Sequence, residues 1–122
     1  MKDNYFESRP WGSFEVLEDA SGWKVKRLEV LPGMRLSLQK HFKRAETWVV
    51  VAGAGLFTIG QQEALYAVGD VAQIPTGTVH RITNNGQVPL AVIEVQCGSY
   101  FGEDDIERFQ DDFGRTDTSV PG

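Results

Sequence analysis

Short β-type runs separated by turn signals fill the middle of this chain, and that punctuation restricts it to a sandwich or a barrel. The runs are Ser13–Leu17, Trp23–Val30, Arg35–His41, Thr47–Ala52, Gly55–Ile59, Glu63–Val68, Val71–Ile74, Val79–Asn84 and Leu90–Gln96. Between them stand Leu31-Pro32-Gly33, Ala52-Gly53-Ala54-Gly55, Pro75-Thr76-Gly77 and Asn84-Asn85-Gly86, residue types that turns require. The last of these reads as a tight turn feeding the Leu90 strand. Beyond Gly98 the pattern changes. Asp104–Phe109 predicts a short helix, with acids in its first turn and Arg108 near its end, as the macrodipole prefers. Residues 116–122 read as a disordered tail, which leaves residues 1–115 as a single domain.

Composition removes several function classes. No run of 18 apolar residues occurs, so nothing here is expected to span a membrane. The N-terminal Met-Lys-Asp-Asn-Tyr-Phe-Glu lacks an apolar stretch and does not read as a signal peptide. Cys97 is the single cysteine, so neither a disulfide framework nor a cysteine-rich metal site is available, and a reducing cytoplasm is the expected compartment. Residues 1–100 carry ten acids and ten bases, whereas residues 101–122 carry seven acids against Arg108 and Arg115. A negative tail repels phosphate backbones and argues against nucleic-acid binding. Two local basic clusters, Lys24–Lys26–Arg27 and Lys40–Lys43–Arg44, suit a small anion or simply a solvated surface.

The chain has two histidines, and each sits in a spaced pattern. The first is Gly33-x5-Gln39-x-His41-x4-Glu46-x6-Gly53; the second is Gly69-x5-Pro75-x-Gly77-x2-His80-x3-Asn84. Two imidazoles, a carboxylate and an amide oxygen make a donor set for a divalent metal. Strand alternation puts Gln39 and His41 on one face with Arg35 and Ser37, places Glu46 with Trp48 and Val50, and sets Glu94 with Gln96. These polar faces line a barrel mouth if they point inward.

The two patterns resemble the cupin superfamily, whose members fold as a double-stranded β-helix (jelly-roll) barrel around a metal. A narrower resemblance runs through Arg9-Pro10-Trp11-Gly12, Lys24–Arg27, Leu36-Ser37-Leu38-Gln39-Lys40-His41, Arg44-Ala45-Glu46, Trp48-Val49-Val50-Val51, Ile74-Pro75, Val79-His80-Arg81 and Ile93-Glu94-Val95-Gln96. It continues through Gly98-Ser99-Tyr100-Phe101-Gly102-Glu103-Asp104-Asp105-Ile106 and Asp112-Phe113-Gly114-Arg115. These segments are similar to the type II phosphomannose isomerase domain, which is often fused behind a mannose-1-phosphate guanylyltransferase and would stand alone here. The resemblance implies an all-β barrel with a short C-terminal helix, and a metal on Gln39, His41, Glu46 and His80. Zinc comes first, with manganese, cobalt or iron also compatible. The family has histidines where this chain has Phe42, Lys43 and Thr47.

The implied reaction interconverts mannose 6-phosphate and fructose 6-phosphate, which moves a proton between C2 and C1. It needs a cation at the two reacting oxygens, a proton carrier and an anchor for the phosphate. Lys43 is the first candidate for proton transfer and Glu94 the second, although a lysine with the usual pKa near 10.4 is a poor base at neutral pH. Arg9, Lys24, Arg27, Arg81 and Arg108 form the pool for substrate binding. The alternative is a cupin that binds a sugar phosphate or sugar nucleotide without turnover. A third reading, a cupin oxygenase, favours more nitrogen ligands than Gln39 allows. Tyr5, Phe6 and Trp11 are apolar enough to cover a homodimer interface or to close the barrel end.

Overall fold

The computed structural model describes residues 4–112, so the predicted tail and the Phe113-Gly114-Arg115 end of the last motif lie outside the described residues. It contains eleven strands: β1 (Tyr5–Arg9), β2 (Gly12–Ala20), β3 (Trp23–Val30), β4 (Leu38–Lys40), β5 (Arg44–Ala52), β6 (Ala54–Ile59), β7 (Gln62–Ala67), β8 (Val71–Ile74), β9 (His80–Thr83), β10 (Leu90–Gly98) and β11 (Glu107–Gln110). Six form one antiparallel sheet in the order β1-β2-β3-β10-β5-β8, and five form the other, β11-β4-β9-β6-β7. The all-β double-stranded β-helix expected from the sequence is the fold observed.

Alternation within strands decides what enters the space between the sheets. On β10, Leu90, Val92, Glu94 and Gln96 are buried and their neighbours less so. On β5 the buried set is Arg44, Glu46, Trp48 and Val50; on β3 it is Lys26, Leu28 and Val30. Register aligns these sets by polarity. Leu90 pairs with Val30 and Val92 with Leu28, while Glu94 pairs with Lys26. On its other side β10 pairs Val92 with Val50, Glu94 with Trp48, and Gln96 with Glu46. One end of the interior is therefore apolar and the other polar.

The apolar end is a cluster of buried side chains. Val30, Leu90 and Val92 are 0% exposed, and each such burial stabilises the fold by about 1.5–3 kcal/mol. Phe57 from β6 meets Trp48 edge-on with centroids 5.1 Å apart and stacks on Tyr66 at 4.6 Å. The β5–β6 turn depends on Gly53, whose φ is +74° and whose added Cβ would lie 2.6 Å from the Pro89 carbonyl oxygen. No side chain fits there.

Three sequence expectations are corrected. The helix predicted over Asp104–Phe109 is instead a turn followed by strand β11, which pairs with β4. Ile106 and Arg108 are buried while Phe109 is exposed, a two-residue period that the acids had disguised. Second, Asn84-Asn85-Gly86 is no hairpin turn, because β9 and β10 belong to different sheets. The fully buried Asn84 carries the crossing: its Nδ2 donates to the Val30 and Val88 carbonyls, and its Oδ1 accepts from the Gly86 amide. Third, Arg35–His41 keeps its ladder only over Leu38–Lys40, with Arg35 bridging to Thr83. Edge strand β1, unread in the sequence, leaves Tyr5 and Phe6 each 57% exposed, while Trp11 closes the barrel's own core at 6%.

Candidate metal centre

The polar end of the barrel is a cavity in which both sequence patterns converge. His41 follows β4, Glu46 lies on β5 and His80 opens β9, all three buried. One ligand atom from each lies within 4.8 Å of the others. His41 Nε2 is 3.5 Å from Glu46 Oε2, and His80 Nε2 is 3.6 Å from Glu46 Oε1. The two rings tilt against each other with centroids 5.2 Å apart.

Backbone carbonyls fix both imidazoles in the form a metal requires. His41 Nδ1 donates to the Asp105 carbonyl at 2.7 Å, and His80 Nδ1 donates to the Thr78 carbonyl at 2.8 Å. A carbonyl only accepts, so each Nδ1 carries the proton and each Nε2 presents a lone pair to the cavity. Gln39, paired in register with His80, lines the same cavity. Its Nε2 donates to Ser37 Oγ at 2.9 Å, which leaves Oε1 as the end available to a cation. Burial, the positive charge of Arg44 and the neighbouring His80 push His41 down from 6.5 to about 4, so it is neutral at physiological pH. The donor set thus fits one divalent ion with mixed nitrogen and oxygen ligands.

Around these residues lies a second layer of charge. Glu94 on β10 is buried, and Trp48 Nε1 donates to Glu46 Oε1 and Glu94 Oε2, both at 3.2 Å. Burial and the nearby Glu46 charge raise the Glu94 pKa, against the pull of Lys26, Arg44 and a hydrogen bond from Gln96. Lys26 Nζ reaches Glu103 Oε1 at 3.0 Å. Burial alone would raise the Glu103 pKa; Lys26 and Arg44 reverse that and bring it down to about 2. Glu103 and Asp105 belong to a strap that begins at Gly98, where an added Cβ would lie 2.2 Å from the Lys43 carbonyl oxygen. Asp105 pins the strap to the loop after His41, its carboxylate accepting from the Phe42 and Lys43 amides at 3.1 and 2.9 Å.

The remaining sequence candidates divide. Arg9, Arg81 and Arg108 line the cavity. Arg81 is 5% exposed and donates to the Leu36 carbonyl and to Gln110. Lys24 and Arg27 do not line it; Arg27 is exposed and pairs with Glu15. Lys43 is also exposed, with Nζ 5.3 Å from the Tyr100 ring centroid. Strand β4 ends at Lys40, and Lys43 does not line the cavity beside His41. Phe42 is 52% exposed and Thr47 donates to Gln73, also away from the cavity. Lys26, Arg44, Trp48 and Glu103 also line the cavity, although the sequence offers Lys26 and Arg44 only as members of basic clusters and does not mark Trp48 or Glu103 as site residues. Lys26 was findable, because it alternates inward with Leu28 and Val30; Glu103 was not, because nothing local points it at Lys26.

Comparison with known proteins agrees with this architecture. The alginate biosynthesis protein AlgA of Pseudomonas putida is 47% identical over 112 residues, which cover 92% of this chain and 23% of that protein. The chain thus spans under a quarter of such relatives. A cupin-2 domain from Rhodospirillum rubrum superposes with a TM-score of 0.70 at 18% identity, covering 77% of this chain and 69% of that one. A double-stranded β-helix protein from Klebsiella pneumoniae gives 0.66 at 24% identity, covering 71% and 76%. These two structures speak to the fold. Matched over residues 2–111, the chain belongs to the family described as mannose-6-phosphate isomerase C-terminal.

Proposed function

We propose that this domain is a metal-dependent aldose–ketose isomerase that interconverts mannose 6-phosphate and fructose 6-phosphate. The observation that carries the reading is the convergence of His41 Nε2, His80 Nε2 and the Glu46 carboxylate beside buried cations. Gln39, His41, Glu46 and His80 would hold a divalent ion, which would supply Lewis acidity to the reacting oxygens of the sugar.

The other tasks fall to this chain's own residues. Glu94 faces the cavity, and its raised pKa brings it toward the range in which a carboxyl both takes and returns a proton. Lys43 lies outside, so Glu94 replaces it as the leading proton carrier. Cavity lining narrows the phosphate pool to Arg9, Arg81 and Arg108 and adds Lys26. Fixing the phosphate end positions C1 and C2 against Glu94 and confines the proton to one face.

The competing reading, a cupin that binds the sugar phosphate without turnover, drew on Phe42, Lys43 and Thr47 standing where the family has histidines. None of the three lines the cavity, so its donor set is intact. A homodimer through edge strand β1, where Tyr5 and Phe6 are exposed, belongs to the same proposal and is checked by light scattering. Among the described residues no helix is long and apolar enough to cross a membrane, and cytoplasmic residence is part of the proposal.

The deciding experiment is a coupled assay on mannose 6-phosphate with metal-stripped protein, zinc, manganese, cobalt or iron being restored singly. Turnover that needs one of these ions and disappears in His80→Ala supports the isomerase. Metal binding without turnover supports the binding module instead.

A further inference from the structure

Arg44 forks onto two atoms of the metal centre. Its Nε donates to Glu46 Oε2 at 2.9 Å and its Nη2 to His41 Nε2 at 3.0 Å. The third corner of the guanidinium looks elsewhere: Nη1 lies 3.4 Å from the Phe101 carbonyl oxygen and 3.6 Å from Glu103 Oε2. Both of those oxygens belong to the strap. Arg44 is 4% exposed, so its charge is balanced by these partners rather than by bulk water.

An imidazole Nε2 has one lone pair. It accepts a hydrogen bond or coordinates a cation, never both. The same holds, less strictly, for a carboxylate oxygen shared between a guanidinium and an ion, since two cations that close repel. We propose that Arg44 is a stand-in cation: it competes with the metal for His41 Nε2 and Glu46 Oε2, and metal binding transfers it onto Glu103 and the Phe101 carbonyl, tightening the strap over the cavity. This rests on the metal reading above and adds to it a coupling between ion and strap. The transfer is short, because Nη1 already faces the receiving oxygens. It gives the strap, which holds no ligand side chain of its own, a reason to respond to the ion. It also lowers metal affinity below what the donor set alone provides.

The test is zinc affinity, measured by competition with a chromophoric chelator. The wild-type protein is compared with Arg44→Met, Glu103→Gln, the double variant and His80→Ala. Arg44→Met is expected to bind zinc at least roughly tenfold more tightly, since a charge-assisted hydrogen bond no longer has to break. Glu103→Gln is expected to weaken binding in the wild-type background and to have no effect once Arg44 is gone, because it acts by receiving the displaced guanidinium. Unchanged or weaker binding by Arg44→Met, or the same Glu103 effect in both backgrounds, overturns the proposal. If neither the wild type nor Arg44→Met binds zinc more tightly than His80→Ala does, the metal centre itself has failed, a separate and recognisable result.

A measurement on unsubstituted protein guards against a misfolded variant. In ¹⁵N-arginine-labelled wild type, zinc should shift the Arg44 Nε–H resonance and slow amide exchange across residues 101–106. An Arg44 resonance that stays in place while zinc binds overturns the proposal without any substitution at residue 44.

Discussion

The two ends of the barrel interior are built by the same strands and are buried to nearly the same degree, yet they answer to different physics. On β10, Leu90 and Val92 are 0% exposed, and two and four residues on Glu94 and Gln96 are 6% and 0%. At the apolar end each side chain contributes by leaving water, and the contributions come close to adding. At the polar end burial costs energy for every charge, and the charged groups are offset by partners: Glu46 with Arg44 and Trp48, Lys26 with Glu103, while His41 bonds the Asp105 carbonyl. The apolar end holds the barrel closed so that the polar end can keep an expensive set of donors in place. Damage at one end should therefore show as lost stability, and damage at the other as lost chemistry.

The largest expected effect is at the apolar end. Phe57→Ala removes a ring that packs on both Trp48 and Tyr66 and should destabilise the domain by about 3–5 kcal/mol, read from denaturant unfolding. Zinc affinity of the fraction that stays folded should change little. A large affinity loss would show that the two ends are not separable.

Next is Asp105→Ala. The carboxylate holds the Phe42 and Lys43 amides, and through that loop it holds His41 against the Asp105 carbonyl. Losing such support behind a metal ligand typically costs roughly 10–100-fold in metal affinity. Chelator competition measures it, and Asp105→Asn, which keeps one accepting oxygen, should recover part. Equal affinity in all three proteins would remove the strap from the proposed metal centre.

These two predictions also show what was legible in the sequence. The alternation that puts Leu28 and Val30 inward is local, so Trp23–Val30 and Val71–Ile74 were read with their true ends. The His41, Glu46 and His80 spacing was legible because turns with glycine and proline bound each pattern. The strap was not. Its acids resemble a helix start, but Glu103 and Asp105 are engaged by Lys26 and by amides 62 and 63 residues away. Only tertiary packing shows that Ile106 and Arg108 face inward while strand β11 pairs with β4. Arg44 reads only as part of a basic cluster for a smaller reason: the apolar run suggests a strand from Thr47, whereas β5 begins at Arg44 and so puts Arg44 on one face with Glu46.

A smaller effect sharpens the electrostatic half of the comparison. Glu94 has its folded-state pKa raised above 4.5 by burial and by Glu46. In the window above 4.5 the folded protein binds more protons at this site than the unfolded chain does. Stability from this group is therefore full below 4.5 and is lost as pH rises through the folded pKa. Glu94→Gln removes that loss, so the variant should gain on the wild type as pH increases from 4.5 toward neutrality. Parallel stability curves for the two proteins would mean that Glu94 is not perturbed. Glu103 runs the opposite way. Its folded pKa of about 2, against 4.5 ordinarily, means its contribution is present above 4.5 and fades as pH falls toward 2.

The smallest expected effect lies outside the cavity. Lys43 is exposed, touches the Tyr100 ring and contributes its backbone amide, not its side chain, to the strap contact. Lys43→Ala should change stability by less than about 0.5 kcal/mol and leave zinc affinity and turnover near wild type. Glu94→Gln in the same assay should retain metal and lose turnover by about 10²–10⁴-fold, the usual worth of a positioned proton carrier. The pair separates position from residue type. A lysine is the more familiar stand-in for a missing histidine, but proton transfer requires a group within hydrogen-bond reach of the reacting carbons. Of these two, the one lining the cavity with the proposed metal donors is Glu94. If Lys43→Ala instead abolishes turnover while Glu94→Gln does not, the strap must open far enough in the working enzyme to bring residue 43 inside, and the polar end would extend beyond the barrel wall.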